Sequence, residues 1–221
     1  MPDAPIPPEL SVPPAERKAL DALCARDPDL AAIEAAAGPL PWRRRPKGFA
    51  GLLAAIVGQQ ISNAAAAAIW SRLVALAPPA PDAERLLRLS EDALRAAGLS
   101  RPKIGYARAL AAAVASGRFD PDSLERMADE EAIAALTALP GFGRWTAEIY
   151  LLFALERRDV FPAADLALAA ATAALKGLPA RPSERALRAL AEPWAPARGL
   201  AARLLWHHWR FVTARPAFDP Q

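Results

Sequence analysis

Two glycines separated by one residue, Gly141 and Gly143, stand between two helical segments in the run Leu-Pro-Gly-Phe-Gly-Arg-Trp-Thr-Ala at 139–147. Glycine allows a tight turn with positive φ and leaves backbone N–H groups unobstructed, and the following helix presents its N-terminus at the same point. Such a turn can bind a backbone phosphate of a polynucleotide, with Arg144 adding positive charge. For a lone motif, an ordinary helix–turn–helix connection is the simpler interpretation.

Asp165 is the second candidate for chemistry, because it follows a proline-containing connection and directly precedes a helical run at 166–176. A carboxylate in this place can simply cap the helix. The helix dipole and the first amides also favour its ionised form, so we expect it to be charged at neutral pH. A fixed anion stabilises a transition state in which positive charge develops on a sugar. The same group can instead orient or deprotonate a water molecule, and the sequence leaves both roles open.

Helices must position these residues, since apolar residues recur at helical spacing and the β-branched clusters typical of strands are missing. The chain has 221 residues, 53% hydrophobic and 23% charged, which is enough to bury a full core. The fold class is therefore predicted to be all-α. Six prolines predict an extended tail at 1–14, followed by a helix from about Ala15. Further helices are predicted near 28–37, 48–60, 62–77, 82–88, 90–97, 101–117, 129–138, 144–156, 166–176, 183–192 and 196–213. Ser62, Ser90, Asp129 and Ser183 are the expected N-caps.

Composition excludes several classes of function. The single cysteine, Cys24, excludes an intramolecular disulfide framework, and the adjacent His207 and His208 point in different directions on a helix, so we expect no metal bound by side chains. The first ten residues lack the pattern of a secretory signal, and no run of about twenty apolar residues follows. We therefore expect an intracellular protein. The formal charge of +3 is too small to indicate a nucleic-acid partner by itself.

The motifs together resemble the helix-hairpin-helix (HhH-GPD) DNA glycosylase superfamily. The run at 139–147 resembles its hairpin, Asp-Val-Phe-Pro-Ala-Ala-Asp-Leu-Ala-Leu at 159–168 its catalytic segment, and Ile-Val-Gly-Gln-Gln-Ile-Ser at 56–62 its DNA-penetrating turn. Gly-Leu-Ser-Arg-Pro-Lys at 98–103 is similar to a further family segment. The resemblance spans about residues 42–210 and is greatest to the bacterial 3-methyladenine DNA glycosylase II type, without its N-terminal β domain.

This resemblance implies a fold of two helical lobes with a cleft between them, formed by a single domain at 15–221 with the hairpin at 131–156 and the catalytic segment at 159–176. It implies a monofunctional DNA glycosylase of base excision repair that flips an alkylated purine of the 3-methyladenine type from duplex DNA. Asp165 would be catalytic. Lyase-competent relatives carry a lysine two residues after the second hairpin glycine, where this chain has Trp145. That difference favours simple hydrolysis that leaves an abasic site.

By the same resemblance, Trp145, Trp206 and Ile149 line the substrate pocket, and Gln59 lines the pocket or contacts the minor groove. Gln60 is the wedge that fills the gap in the base stack. An indole face attracts a cationic alkylated base more than a neutral one. Ile149 stands where the glycosylase II type can carry a tyrosine, which leaves the base preference open. Without the resemblance, core packing and base stacking are equally good interpretations of the tryptophans, and the glutamines would be expected to face solvent.

The resemblance also assigns the DNA phosphate to the hairpin residues Gly141, Gly143, Arg144 and Thr146. Nearby basic residues are candidates for secondary DNA contacts, although a charge run is more often a solvated face. These are Arg44, Arg45, Lys47, Arg101 and Lys103.

The expected partner is double-stranded DNA with a damaged base, bound by a monomer in the bacterial cytoplasm at the nucleoid, with no membrane association. No cofactor is expected, and a monovalent cation at the hairpin backbone stays open. Three alternatives remain: a non-catalytic helix-hairpin-helix DNA-binding module, a glycosylase for mismatched or oxidised bases, and a purely structural helical protein.

Overall fold

The described part of the chain forms helices, because its segments are rich in alanine and leucine, which have high helix propensity. The computed structural model describes residues 10–214, and within that range the backbone forms α-helices and short 3₁₀ helices without a strand. No helix in this range is both long and apolar enough to cross a membrane. The α-helices are α1 (Pro14–Cys24), α2 (Pro28–Ala37), α3 (Gly48–Gly58), α4 (Asn63–Leu76), α5 (Ala83–Arg88), α6 (Glu91–Ala96), α7 (Arg101–Ala115), α8 (Asp129–Thr137), α9 (Arg144–Phe153), α10 (Leu166–Leu175), α11 (Glu184–Ala191) and α12 (Arg198–Val212).

The predicted all-α class is confirmed, and each predicted helix forms with ends within three residues of the expected ones. The 3₁₀ helices Pro121–Arg126 and Glu192–Trp194 are not predicted by the sequence. Helix α1 begins at Pro14, since proline suits the first helical position. The predicted N-terminal tail falls largely on residues 1–9, which lie outside the described residues.

Serine caps fix the beginnings of three helices as predicted. The hydroxyl oxygens of Ser62, Ser90 and Ser183 accept hydrogen bonds from backbone amides three residues further along, at 3.2, 3.1 and 3.3 Å. The predicted cap at Asp129 is wrong, because α8 begins at Asp129 itself and its N-cap is Ala128. Asp129 instead lies in the first helical turn, where the helix dipole favours a negative charge.

The described backbone falls into two compact units, and residues 45–155 form one of them. Its core packs α3 against α4, α7 and α9, and α5 against α7. The fully buried side chains here include Leu53, Leu73, Leu86, Leu94 and Ala107. The hairpin helices α8 and α9 also pack on each other within this unit.

The second unit combines the chain up to Arg44 with the chain from Glu156 onward. Helix α12 packs on α2 and α10, and Leu30, Leu168 and Leu204 are fully buried there. Asp27 caps α2 and also accepts hydrogen bonds from Lys176 Nζ at 2.8 Å and from Trp194 Nε1 at 2.7 Å. This polar cluster links three segments that are distant in sequence.

Candidate active site

The turn between α8 and α9 uses its two glycines differently. Gly141 has φ of +88°, and a Cβ atom added there would lie 2.4 Å from the ring of Tyr106. Gly143 has φ of −87° and is the N-cap of α9, with open space where a Cβ would be. The expected positive φ is therefore found at Gly141 and not at Gly143. The turn packs directly on a side chain of α7, so only glycine fits at position 141.

The N-terminus of α9 presents backbone amides, as the sequence predicts. Its first intrahelical hydrogen bond runs from the Ala147 amide to the Gly143 carbonyl at 3.0 Å, so the amides of residues 144–146 precede that series. Gly143 is exposed and Thr146 is half-buried. These amides and the positive end of the helix dipole can accept a phosphate without reading base sequence.

Two glutamates hold the guanidinium of Arg144. Arg144 Nη1 donates to Glu130 Oε2 at 2.9 Å, and Arg144 Nε donates to Glu148 Oε1 at 3.0 Å. Hydrogen bonds to Glu130 raise the pKa of Arg144 further above its already high usual value. Because both carboxylates offset its charge, the direct phosphate contact predicted for Arg144 requires these ion pairs to open. The sequence reasoning missed both glutamates, although the spacing of four residues between Arg144 and Glu148 was a usable signal.

Trp145 and Ile149 lie one turn apart on α9. The Trp145 side chain is 43% exposed, which distinguishes it from a core tryptophan, whereas Ile149 is buried at 5%. An exposed indole at a helix N-terminus offers an apolar face to a base. Ile149 lies among the buried residues of the unit formed by 45–155.

Gln59 and Gln60 form the break between α3 and α4, as predicted for the penetrating turn. The Gln59 side-chain Nε2 donates to the Gly141 carbonyl at 2.8 Å, so this turn is bonded directly to the hairpin. Gln60 is exposed and has φ of +57°, an uncommon conformation for a residue with a side chain. Left-handed backbone outside glycine concentrates at functional sites, and here it coincides with an exposed amide side chain.

Asp165 caps α10 with one carboxylate oxygen. Its Oδ1 atom accepts hydrogen bonds from the amides of Ala167 at 2.8 Å and Leu168 at 2.9 Å. The indole Nε1 of Trp206 on α12 donates to the same oxygen at 3.2 Å. The carboxylate is half-buried, so it is held by three donors while it keeps access to solvent. Capping and a catalytic role are therefore compatible in this geometry.

The segment leading to Asp165 is fixed to α12. Asp159 accepts hydrogen bonds from the Arg198 amide at 3.0 Å and from the Arg198 guanidinium at 2.7 Å. The ring of Phe161 packs edge-on against Trp194, with 5.9 Å between centroids. These contacts fix residues 159 and 161 within this unit, a few residues before Asp165.

The predicted secondary DNA contacts differ in how much charge they can offer. Arg44 Nε donates to Glu156 at 2.9 Å, and Lys47 Nζ donates to Glu125 at 2.8 Å. The guanidinium of Arg45 lies 5.6 Å from the ring centroid of Phe153, and burial lowers the pKa of Arg45. Arg101 is exposed on the first turn of α7.

Lys103 is the clearest correction among these basic residues. Its side chain is buried, and its Nζ atom donates to the Val57 carbonyl at 2.8 Å. Burial also lowers the pKa of Lys103. A direct contact with DNA is wrong for this residue, because its ammonium lies inside the unit, where it bonds the end of α3.

Histidines and acids do not gather into a metal site in the described part of the chain. Among residues 10–214, no group of three His, Cys, Asp or Glu side chains is arranged to hold a metal ion. The His207 ring instead bonds the Gly38 carbonyl at 2.9 Å.

The helical hairpin of α8 and α9, with the glutamine turn bonded to it at Gly141, defines a helix-hairpin-helix protein. The model of one protein family matches residues 53–196, and that family is described as "HhH-GPD superfamily base excision DNA repair protein". The chain belongs to this superfamily.

Relatives of known name support the same assignment. DNA-3-methyladenine glycosylase 1 of Schizosaccharomyces pombe is 35% identical over 158 residues, which cover 70% of this chain and 69% of the relative. The crystal structure of a DNA-3-methyladenine glycosidase from Bacillus halodurans has a TM-score of 0.77 at 35% identity and covers 85% of this chain and 87% of that one. The Schizosaccharomyces pombe 3-methyladenine DNA glycosylase in complex with abasic DNA has a TM-score of 0.77 at 31% identity, over 91% of this chain and 98% of that one.

Proposed function

We propose that this chain is a monofunctional DNA glycosylase that hydrolyses the N-glycosidic bond of alkylated purines, of the 3-methyladenine type, after flipping them from duplex DNA. The observation that carries the proposal is the fixed Asp165 carboxylate, whose Oδ1 is bonded by two helix amides and the indole of Trp206. The names of the relatives support the choice of alkylated purine.

The chemistry follows from charge. The bond between C1′ of the deoxyribose and the base nitrogen breaks, and the base leaves with the bonding electron pair. Positive charge then develops on the sugar, and the nearby carboxylate anion lowers the energy of that transition state. Water adds to C1′ and loses a proton, which gives an abasic site. An alkylated purine already carries positive charge and leaves as a neutral base, so the reaction needs no dedicated general acid.

Trp145 supports simple hydrolysis over strand cleavage, because its position offers an indole where a lyase needs an amine to form a Schiff base. We therefore expect an abasic product whose strand breaks only on later treatment with hot alkali. Borohydride should trap no covalent complex between the protein and the DNA. Efficient trapping would contradict the monofunctional assignment.

Asp165→Asn is the test of the catalytic role, because asparagine keeps a capping oxygen but removes the negative charge. Single-turnover release of free base from methylated duplex should fall by at least about 100-fold, as for loss of a principal electrostatic group. Salt-dependent DNA binding should persist. Asp92→Asn, which changes an acid whose side chain is 90% exposed, is the matched control. Undiminished release by Asp165→Asn would refute the catalytic role.

Duplexes that carry alkylated, deaminated or oxidised bases should be compared in the same assay. Release confined to the alkylated purines supports the substrate class. Robust release of oxidised guanine without release of alkylpurine would reject it, and DNA binding without any base release would favour a non-catalytic DNA-binding module.

We further propose that the protein acts as a monomer on nucleoid DNA in the bacterial cytoplasm and needs no cofactor. Light scattering measures the mass of the free protein, and cell fractionation locates it. Chelator treatment should leave base release unchanged. Exchange of potassium for a bulky organic cation tests for a monovalent ion at the hairpin backbone, since a loss of DNA affinity would indicate one.

A further inference from the structure

Helix α3 ends in a way that leaves one of its carbonyl groups in need of a donor. The helix spans Gly48–Gly58, and Gln59 then takes an extended conformation with ψ of 129°. In a continuing helix, the Val57 carbonyl would accept from the amide four residues later, but the chain has turned away before that point. Val57 is 1% exposed, so water cannot replace the missing donor.

Lys103 supplies the donor from α7. Its side chain is 9% exposed, and its Nζ atom lies 2.8 Å from the Val57 carbonyl oxygen. A positive charge at the C-terminal end of a helix is also favoured by the helix dipole. This arrangement satisfies the helix end and lets the chain leave the helix after Gly58.

The turn that follows carries Gln59 and Gln60, the two residues for which the family resemblance implies a contact with the DNA or the flipped base. Gln60 is exposed with φ of +57°, and Gln59 bonds the Gly141 carbonyl at 2.8 Å. The strained conformation of Gln60 persists only where the surrounding contacts impose it. Two side-chain hydrogen bonds flank this conformation: the bond of Lys103 to the Val57 carbonyl and the bond of Gln59 to the Gly141 carbonyl.

We infer that Lys103 is a positioning residue for base extrusion: its buried ammonium fixes the end of α3 so that Gln60 projects into the base stack at a set distance from the hairpin. This inference rests on the proposed function. Lys103 acts through Gln60 and does not touch the DNA. If the bond to Val57 is lost, the turn can relax, and the flipped state is populated less.

The test is a double-mutant cycle between Lys103 and Gln60. Lys103→Met keeps the length and apolar stem of the side chain but removes the donor, and Lys103→Arg keeps a charged donor. Each is made with Gln60 present and in a Gln60→Ala background. Lys18→Met is the matched control, because it removes the charge of an exposed lysine on α1.

Two readouts separate positioning from folding. Single-turnover base release from methylated duplex measures the reaction, and fluorescence of 2-aminopurine beside an abasic-site analogue measures insertion of the wedge into the stack. With Gln60 present, we expect Lys103→Met to slow base release by about tenfold, the size of effect that loss of one buried hydrogen bond produces. Lys103→Arg should recover most of the rate, and Lys18→Met should change neither readout.

In the Gln60→Ala background, Lys103→Met should change the rate by less than about twofold, because the residue through which it acts has been removed. Equal slowing in both backgrounds, or an unchanged rate with Gln60 present, overturns the inference. Should Lys103→Met fail to fold, the same comparison is made with Lys103→Arg and Lys103→Gln, whose melting temperatures are measured first. A wild-type protein that releases no base refutes the proposed function, while the fluorescence comparison still tests Lys103.

Discussion

Replacement of Gly141 by alanine adds one methyl group to the hairpin. We expect it to destabilise the unit formed by 45–155 more than a methyl group added at any other hairpin position. The added Cβ meets two penalties. At φ of +88° an L-residue is strained, and the Cβ would lie 2.4 Å from the Tyr106 ring, well inside van der Waals contact. Left-handed strain and overpacking together make the expected loss in free energy of unfolding about 3 kcal/mol.

Urea unfolding followed by far-UV circular dichroism measures this loss. Gly143→Ala is the matched control in the same turn, because Gly143 has negative φ and open space around the added atom. Its cost as a poorer N-cap should stay below about 1 kcal/mol. Combining Gly141→Ala with Tyr106→Ala removes the ring contacts at 2.4 and 2.5 Å but keeps the contact with the Cβ of residue 106 at 2.9 Å, so the double variant should lose less than the sum of the two single losses and still be destabilised. An unchanged urea midpoint for Gly141→Ala would refute the geometry given for this turn.

Three other substitutions test contacts at and around the site. Tyr150→Phe removes the hydroxyl that accepts from the Gly48 amide at 2.9 Å, so the free energy of unfolding in urea should fall by about 1–2 kcal/mol. Although burial works to raise the pKa of Asp27, hydrogen bonds from lysine and tryptophan hold that pKa below its usual 3.8. Asp27→Asn should therefore cost about 2 kcal/mol near neutral pH, a difference that disappears as acid protonates the wild-type carboxylate below pH 3.8. Trp206→Phe keeps an aromatic face but removes the donor to Asp165, and should slow single-turnover base release by about tenfold.

Each of these has an outcome that contradicts it. Tyr106→Phe, at the other tyrosine of the chain, is the control for Tyr150→Phe, and equal losses for the two variants would reject the role of the Gly48 bond. A stability difference for Asp27→Asn that persists unchanged at pH 2 would contradict the depressed pKa. If Trp206→Phe releases base at the wild-type rate, the indole donor does not contribute to catalysis.

Local signals made much of the fold predictable. Alanine- and leucine-rich segments at helical spacing, with Ser62, Ser90 and Ser183 as caps, depend only on residues within a few positions along the chain. The hairpin glycines and the aspartate before α10 are likewise local features. Asp129 misled the prediction because an acidic residue suits both the cap and the first turn, and only the backbone at Ala128 decides between them.

The sequence by itself therefore determined the all-α class, the helix positions, and the places of the hairpin, the glutamine turn and Asp165. Only the tertiary structure decided which polar side chains are bonded inside the protein and which remain available to contact DNA. Lys103 bonds a carbonyl 46 residues away, Gln59 bonds the hairpin over 82 residues, and Trp206 reaches Asp165 over 41. Helix propensity is set by near neighbours, whereas a hydrogen bond between distant residues forms only after packing has brought their helices together. Charge and residue type alone indicated several basic residues as DNA contacts. Lys103 was one of them, and only the folded structure shows that its side chain is buried.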